Sequence, residues 1–222
     1  MNHGKIIVLE GLDGSGKSTQ SKFLFDKFCS LKRHVKLVSM PNYSSLSSGP
    51  IKMYLNKKIS DNPFNVNPFA SSSFFAVDRF INYMCNWKKL YEFEQYTIVC
   101  DRYSTSNMIY QLAKIDKSNW DSFIDWICDY EYNKLEIPHP DIVIYLHVPL
   151  NISQRLIELR SVPSDLHESN MIFLKLCSQA ADYSAKKFGW TVVECSENGK
   201  NIDPLEVISS KIENILKIKK YI

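Results

Sequence analysis

The sequence has no long hydrophobic run and no paired-cysteine motif, and each absence argues against a class of protein. No stretch approaches the roughly 18 consecutive apolar residues that cross a bilayer, so we expect no membrane segment. The six cysteines never stand as C-x-x-C or at another metal-ligand spacing. Free thiols are typical of a reducing compartment, which predicts a cytoplasmic protein.

An excess of charge of one sign is also absent. The chain has 27 basic and 24 acidic residues and a net charge of +3, whereas nucleic-acid-binding domains usually show a strong basic excess. We therefore expect no nucleic-acid partner. With 222 residues, of which 45% are hydrophobic and 23% charged, the chain has the size and composition of one globular domain over residues 1–222.

Glycine is scarce, and three of the seven glycines fall within residues 11–18. This segment, GLDGSGKS, matches the phosphate-binding pattern G-x-x-x-x-G-K-[ST] in full. Glycines allow backbone N–H groups to turn toward phosphate oxygens, while Lys17 supplies a positive charge and Ser18 offers a hydroxyl to Mg²⁺. We expect the nucleoside triphosphate to contact the whole loop: Gly11, Leu12, Asp13, Gly14, Ser15, Gly16, Lys17, Ser18 and Thr19.

Short apolar runs alternate with longer amphipathic segments along the chain. The runs lack polar alternation, as parallel strands covered on both faces do. They occupy residues 6–9, 35–39, 97–100, 142–148 and 191–195. The alternation predicts an α/β fold of the P-loop NTPase type, with three layers in which a five-stranded parallel sheet lies between helices.

The segments between the runs carry more specific expectations. Around residues 74–91 the helical spacing of Phe74, Val77, Ile81 and Met84 predicts a face directed toward the core. Asp203 is expected to cap the last helix, which starts at the following proline. Residues 41–50 (PNYSSLSSGP) are rich in turn formers and predict a loop.

Other motifs narrow the choice among P-loop proteins. A GTPase needs a guanine-reading N-K-x-D, and neither residues 56–59 (NKKI) nor 133–136 (NKLE) fits. The only D-x-x-G, from Asp13 to Gly16, lies inside the phosphate-binding loop, so a separate switch segment is missing. A motor or transporter ATPase would usually be longer. A small-molecule kinase is the interpretation that remains.

Asp101 and Arg102 directly follow the apolar run at 97–100. A carboxylate at the carboxyl end of a parallel strand lies beside the ligand crevice. We therefore expect Asp101 to bind Mg²⁺ through water and Arg102 to hold a second phosphate group. A surface ion pair is the alternative for this short motif.

Taken together, these residues resemble the thymidylate kinase family, and in particular its clostridial-type members. Three segments carry the resemblance, which extends over nearly the whole chain: residues 10–19 (EGLDGSGKST), 75–79 (FAVDR) and 101–110 (DRYSTSNMIY). The second and third are specific to this family among P-loop kinases. The resemblance implies transfer of the γ-phosphoryl group of Mg·ATP to dTMP, giving dTDP and ADP. It also implies a homodimer, with the helices around 74–91 as the interface.

The resemblance assigns roles to individual residues. Phe75 would stack on the thymine ring, and Arg79, one helical turn later, would hydrogen-bond its carbonyl edge, a pairing that the shared helix face allows. Tyr110 would pack beneath the sugar and leave no room for a ribose 2′-hydroxyl. Asp13 would orient the acceptor while Arg102 grips its phosphate. The other implied acceptor contacts are Tyr43, Ser106 and Asn107.

The sequence departs from the family in its supply of arginines around the donor. Position 14 is glycine where eukaryotic members have arginine, and the lid, about 160–168, ends in DLHE where bacterial-type members have D-R-x-E. The lid charge should then come from Arg160, helped by Arg155, although Arg155 could equally form a surface ion pair. His167 could contribute a charge if it is protonated.

The implied catalytic set is Asp13, Lys17, Arg102 and Arg160. No general base is needed, because the attacking phosphate oxygen is already ionised and catalysis rests on alignment and charge neutralisation. Two alternatives stay open. One is a kinase of the same fold with another acceptor, such as dUMP or a deoxynucleoside. The other is a nucleotide-binding regulator without catalysis, which the arginine-poor lid would favour.

Overall fold

Five strands form one sheet in which every neighbouring pair is parallel, in a computed structural model that describes residues 3–159 and 165–222. The strand order is β2-β3-β1-β4-β5. The bounds are Lys5–Glu10 for β1, His34–Ser39 for β2, Tyr96–Asp101 for β3, Ile142–His147 for β4 and Thr191–Glu194 for β5. The five predicted strands and their parallel pairing are therefore confirmed.

Strand β1 shows why these short apolar runs become central strands. Its residues Ile6, Ile7, Val8 and Leu9 are all fully buried. Because successive side chains point to opposite faces, Ile6 and Val8 join one hydrophobic cluster and Ile7 and Leu9 join another. The sheet thus has a core on each face, and helices cover both.

Nine α-helices cover the sheet and its carboxyl edge in the part of the chain that the structure describes. Their bounds are Lys17–Ser30 (α1), Gly49–Leu55 (α2), Pro68–Asn82 (α3), Lys88–Tyr91 (α4), Asn107–Tyr110 (α5), Trp120–Cys128 (α6), Leu150–Glu158 (α7), Met171–Phe188 (α8) and Leu205–Ile218 (α9). A π-helical turn, Tyr83–Trp87, joins α3 to α4, and a second, Asp129–Lys134, extends α6. None of the described helices is long and apolar enough to cross a membrane.

Helix α3 does not present the predicted apolar face to the core. Val77 and Met84 are 43% and 45% exposed, whereas the buried positions include Ser72, Asp78 and Arg79. Phe74 does pack, partly buried, against the cluster around Tyr54. Val77, and Met84 in the π-helical turn after α3, point outward, because the face of α3 toward the end of the sheet contacts a polar network. The expectation from periodicity is therefore wrong for these two residues, since it assumes an apolar neighbour.

Two smaller expectations are also corrected. Asp203 does not cap α9; instead its carboxylate accepts a hydrogen bond from the Glu197 N–H (3.1 Å) and pairs with Lys211 (3.0 Å). Residues 41–50 are not a loop throughout, because a 3₁₀ turn, Leu46–Ser48, leads into α2 at Gly49. At Asp203 the carboxylate bonds to a backbone N–H outside α9, and at residues 46–48 a short helical turn stands where a loop was expected.

The carboxyl ends of three strands meet at one edge of the sheet. Leu9 of β1 and Ser39 of β2 both align with Asp101 of β3. The segments that follow these strands therefore begin side by side. This register brings the phosphate-binding loop, the loop after β2 and the Asp101-Arg102 pair to the same place.

Candidate active site

A cavity of about 590 Å³ opens at this edge of the sheet, within the usual range for small-molecule sites. Most of the residues expected at the site line it: Asp13, Gly14, Gly16, Lys17, Ser18, Thr19, Tyr43, Phe75, Arg79, Asp101, Arg102, Ser106, Asn107 and Tyr110. The loop residues Gly11, Leu12 and Ser15 lie buried behind them. Residues separated by nearly a hundred positions thus share one cavity.

The phosphate-binding loop needs glycine at position 14. Gly14 has φ +82°, a left-handed conformation that side chains disfavour. A Cβ atom there would lie 2.5 Å from the Ser153 carbonyl oxygen at the start of α7. The loop is therefore packed against the backbone of α7, and a side chain at this position would require the loop or α7 to shift.

Lys17 is buried within the loop that it follows. Its ammonium donates to the Leu12 carbonyl oxygen (2.7 Å) and lies 3.4 Å from the Ser15 hydroxyl. Burial, and then the nearby positive charge of Arg102, lower the pKa of Lys17 to about 8, although Asp13 and Asp101 act in the opposite direction. Negative charges beside Lys17 therefore raise its pKa and favour its protonated, positively charged form.

Asp13, Arg102 and Tyr110 form a hydrogen-bonded cluster beside Lys17. One carboxylate oxygen of Asp13 pairs with the Arg102 guanidinium, and the other accepts from the Tyr110 hydroxyl at 2.9 Å. Burial alone would raise the pKa of Asp13, but Arg102, Lys17 and Tyr110 together bring the pKa down to about 2. Asp13 is therefore ionised at neutral pH and holds the cation in place.

The backbone of Arg102 is strained where β3 ends. Its φ of 68° lies in the left-handed region, which a non-glycine residue rarely adopts and which costs about 1–3 kcal/mol. The Arg102 N–H nevertheless donates to the Leu9 carbonyl oxygen of β1 at 3.1 Å. The sheet thus continues by one hydrogen bond while the side chain turns toward Asp13.

Glu10 is a site-forming residue that the sequence reasoning missed. It is fully buried at the end of β1. Its carboxylate accepts from the Gly11 N–H (3.0 Å) and from the hydroxyls of Thr105 (2.7 Å) and Ser106 (2.9 Å). The signal available in the sequence was an acidic residue directly before the phosphate-binding loop. Glu10 ties the loop to the segment that carries Ser106.

The far end of the cavity contains an aromatic and polar pocket. Phe75 lies edge-on to Tyr54, with ring centroids 6.3 Å apart. Arg79 and Asn107, both almost fully buried, share a single carboxylate from Glu131. Glu131 was not predicted; its only sequence signal is an acidic residue between two tyrosines, Tyr130 and Tyr132.

Gln111 is a second unpredicted residue of this wall. Its Oε1 accepts from the Ser71 hydroxyl at 2.6 Å. Within residues 3–159 and 165–222, the buried Nε2 of Gln111 makes no hydrogen bond. Gln111 lines the cavity next to Tyr110, and its buried amide nitrogen lies behind that surface.

His167 does not supply a charge to the lid, as the sequence suggested it could. The side chain is 5% exposed, stacks on Tyr110 with centroids 5.1 Å apart, and lies 2.9 Å from the Tyr54 hydroxyl through Nε2. Burial, and then the positive charge of Lys114, lower the pKa of His167 to about 3. The imidazole is therefore neutral at pH 7 and supports Tyr110.

The described end of the lid is docked on α2. The Leu166 N–H donates to the Leu55 carbonyl oxygen at 3.0 Å, and the Leu166 side chain is fully buried. The Asp165 carboxylate accepts from the N–H groups of His167 and Glu168. Residues 165–168 thus form part of the cavity wall. Arg160, the expected lid arginine, lies outside the described residues.

Arg155 is placed away from the cavity wall. It is exposed on α7 and donates a hydrogen bond to the Lys200 carbonyl oxygen, in the segment after β5. It is not among the residues that line the cavity. The structure therefore brings together every expected site residue except Arg155, and Arg160 lies outside the described part.

The geometry defines a class of protein. A phosphate-binding loop that leads into α1, the Asp13–Arg102 ion pair and a polar aromatic pocket share one cavity. A P-loop nucleotide kinase needs a donor site and an acceptor site arranged side by side in this way.

Comparisons with known proteins agree with the class that the geometry indicates, a P-loop nucleotide kinase. The family model described as thymidylate kinase matches residues 9–203. A probable thymidylate kinase from Caldivirga maquilingensis is 29% identical over 97% of both chains. One from Pyrococcus horikoshii is 32% identical over 71% of both chains. Human thymidylate kinase is 31% identical over 66% of this chain and 62% of its own.

The solved structure of thymidylate kinase from Candida albicans has the same fold, with a TM-score of 0.74 at 23% identity, and the match covers 98% of this chain and 93% of that one. The chain belongs to the thymidylate kinase family. It is accordingly a phosphotransferase, and the family and its relatives support dTMP kinase activity over the alternatives that the sequence left open.

Proposed function

We propose that the chain transfers the γ-phosphoryl group of ATP to dTMP in this cavity, giving dTDP and ADP. The observation that carries the proposal is the Asp13–Arg102–Tyr110 cluster, which stands between the phosphate-binding loop and the polar aromatic pocket. An acceptor whose base enters the pocket would place its phosphate beside Arg102 and Lys17. The two reacting groups would then meet over the loop.

In this assignment the chain's own residues align and neutralise charge. Lys17 and the loop N–H groups bind the donor phosphates, while Arg102 holds the acceptor phosphate. Asp13 keeps Arg102 in position, because its low pKa of about 2 leaves it ionised throughout the neutral range. The acceptor phosphate oxygen needs no base, so the cluster contributes preorganised charge to a loose phosphoryl transition state.

The residues expected to hold Mg²⁺ suit that ion. Ser18 and Asp101 both line the cavity and both offer oxygen, the ligand atom that Mg²⁺ prefers. When bound with ATP, Mg²⁺ would neutralise charge on the β- and γ-phosphates. We propose that Ser18 contacts the ion directly and that Asp101 contacts it through water.

The pocket end supplies recognition of the nucleoside. Phe75 offers a ring face to the base, and Arg79 and Asn107 offer polar groups. Tyr110, held by Asp13 on one side and by His167 on the other, fills the space where a ribose 2′-hydroxyl would lie. We propose that Tyr43 and Ser106 complete the acceptor site, and that Arg155 and Arg160 reach the donor when the lid closes.

The proposal also covers the oligomeric state, the cellular location and the number of domains. A homodimer through α3 and its neighbours is supported by the exposed apolar residues Met53, Val77 and Met84, and sedimentation would test it. The free cysteines, several of them buried, favour a cytoplasmic location, which cell fractionation would test. A single cooperative unfolding transition would support one domain over residues 1–222.

The test is ADP release from Mg·ATP with dTMP, dUMP, dCMP, UMP and AMP offered separately. Turnover with dTMP well above the others is expected, and Lys17→Met should abolish it because the loop loses its cation. Turnover with a different acceptor would overturn the pocket assignment while leaving a kinase. ATP binding without turnover on any acceptor would favour a regulator instead.

A further inference from the structure

The polar pocket contains a buried carboxylate that the transfer of phosphate does not use. Glu131 is fully buried and lies on the π-helical turn Asp129–Lys134, an irregular element that often marks functional positions. Its oxygens accept from the Arg79 Nε (2.6 Å) and Nη2 (2.8 Å) and from the Asn107 Nδ2 (2.8 Å). One carboxylate therefore orients both polar residues expected to read the base.

The hydrogen bonds of Asn107 determine which of its atoms can serve a ligand. A side-chain amide has two N–H donors and one acceptor oxygen. Nδ2 donates to Glu131 at 2.8 Å and to the Ser72 carbonyl oxygen at 3.3 Å. Both donors are engaged with the protein, and only Oδ1 is left to meet a ligand. Asn107 therefore offers the cavity an acceptor.

Arg79 offers the opposite polarity. A guanidinium has five N–H donors. Nε and one hydrogen of Nη2 bind Glu131, and one hydrogen of Nη1 binds the Tyr103 carbonyl oxygen at 3.0 Å. One hydrogen on each terminal nitrogen remains. The pocket thus combines donors from Arg79 with an acceptor from Asn107, and Glu131 is the group common to both.

We propose that Glu131 is a positioning residue that makes this pocket select a keto pyrimidine over cytosine. Thymine and uracil present an O4 acceptor next to an N3–H donor, which match Arg79 and Asn107 Oδ1. Cytosine presents an amino donor next to an N3 acceptor, so both contacts would be mismatched. The proposal deepens the proposed function and rests on it for the identity of the acceptor.

Glu131→Gln tests the mechanism because glutamine keeps the shape but replaces one acceptor oxygen with a donor. Both oxygens of Glu131 accept from Arg79, and one of them also accepts from the Asn107 Nδ2, so the glutamine amide would turn a donor toward a donor in either orientation. If the new amide faces Asn107, Asn107 would turn over and offer N–H to the ligand, which suits the N3 of cytosine. If it faces the Arg79 Nε, the guanidinium that donates to the keto group would no longer be held. A wrong or missing hydrogen bond to a buried base changes affinity by about 10- to 100-fold.

The experiment measures the dissociation constants of dTMP, dUMP and dCMP by calorimetry, together with kcat and KM for each. Glu131→Gln is expected to reduce the preference for dTMP over dCMP by about 10-fold or more, with a larger change in the KM for dTMP than in kcat. In an Asn107→Ala background the same change should have a smaller effect on that preference, because only the contribution through Arg79 is left to lose. Glu213→Gln is the control, since Glu213 pairs with Lys27 between α9 and α1 (2.9 Å), away from the cavity.

The outcomes separate the two proposals. Wild-type protein that binds dTMP in preference to dCMP without turnover would overturn the proposed function only, because the binding ratio still tests Glu131. Equal weakening of dTMP and dCMP in Glu131→Gln, or an unchanged ratio, would overturn the positioning role. If that variant does not fold, Glu131→Asp keeps the charge but cannot reach both partners. Its preference should then fall to an intermediate value, and an unchanged preference would overturn the role.

Discussion

Replacing the buried imidazole of His167 should change how the stability of the protein depends on pH. In the folded chain burial lowers the pKa of His167 to about 3, whereas its ordinary value is 6.5. Between these values the unfolded chain binds a proton that the folded chain does not. Stability supported by the neutral imidazole is therefore present above pH 6.5 and is lost as the pH falls toward 3.

The two pKa values give the size of the effect. At pH 5 the difference in proton binding destabilises the fold by about 2 kcal/mol relative to pH 7, at about 1.4 kcal/mol per pKa unit. Asp165 acts in the opposite direction, because burial and Asp13 raise its pKa to about 6. The pH dependence of the unfolding free energy of the wild type therefore contains contributions from both groups. A comparison with a variant that lacks the imidazole isolates the contribution of His167.

The assay is urea unfolding at pH 7 and pH 5 for wild type, His167→Asn and His34→Asn. The asparagine at 167 does not titrate, so it should lose about 2 kcal/mol less than the wild type between the two pH values. His34 is exposed at the start of β2, and its variant should keep the wild-type difference. Equal acid sensitivity in wild type and His167→Asn would refute the inference that His167 is buried and neutral.

Two further predictions concern the phosphate-binding loop. Because the pKa of Lys17 is about 8, the dissociation constant for ATP should rise about tenfold from pH 7 to pH 9, and Lys17→Arg should remove most of that rise. Calorimetry at both pH values measures the dissociation constants. An unchanged dissociation constant in the wild type would contradict the prediction. Gly14→Ala should lower the free energy of unfolding by about 1–2 kcal/mol more than Gly16→Ala. Both glycines have φ +82°, but only at Gly14 would the new Cβ meet another atom, the Ser153 oxygen. Equal losses of unfolding free energy in the two variants would show that backbone strain accounts for the whole cost and that the contact with Ser153 adds nothing.

The sheet could be predicted from the sequence because its signal is local. Runs such as residues 6–9 are apolar at every position, and a strand buried on both faces is the element that such a short run forms. The fate of helix α3 could not be predicted in the same way. Val77 and Met84 have helical spacing, but which face is buried depends on what lies opposite, and a polar network lies there.

The site residues also differ in whether local sequence could predict them. The loop residues and Arg102 lie in contiguous motifs whose residue types indicate phosphate binding. Glu10 and Glu131 act through partners 95 and 52 positions away, Thr105 and Arg79. A buried carboxylate in a sequence resembles a surface one until its partners are known. His167 was misjudged for the same reason, since only the structure shows the aromatic rings around it.

The left-handed backbone of Arg102 is held in place by the ion pairs of its own side chain. Glycine at this position would relieve the strain of φ 68°, yet it would remove the cation that Asp13 and Tyr110 surround. The carboxylates of Asp13 and the fully buried Glu10 would then lose the guanidinium beside them, and that loss costs more than the strain. Stability and catalysis therefore favour the same residue here, so a strained backbone conformation can persist in this fold without any net cost to the folded state.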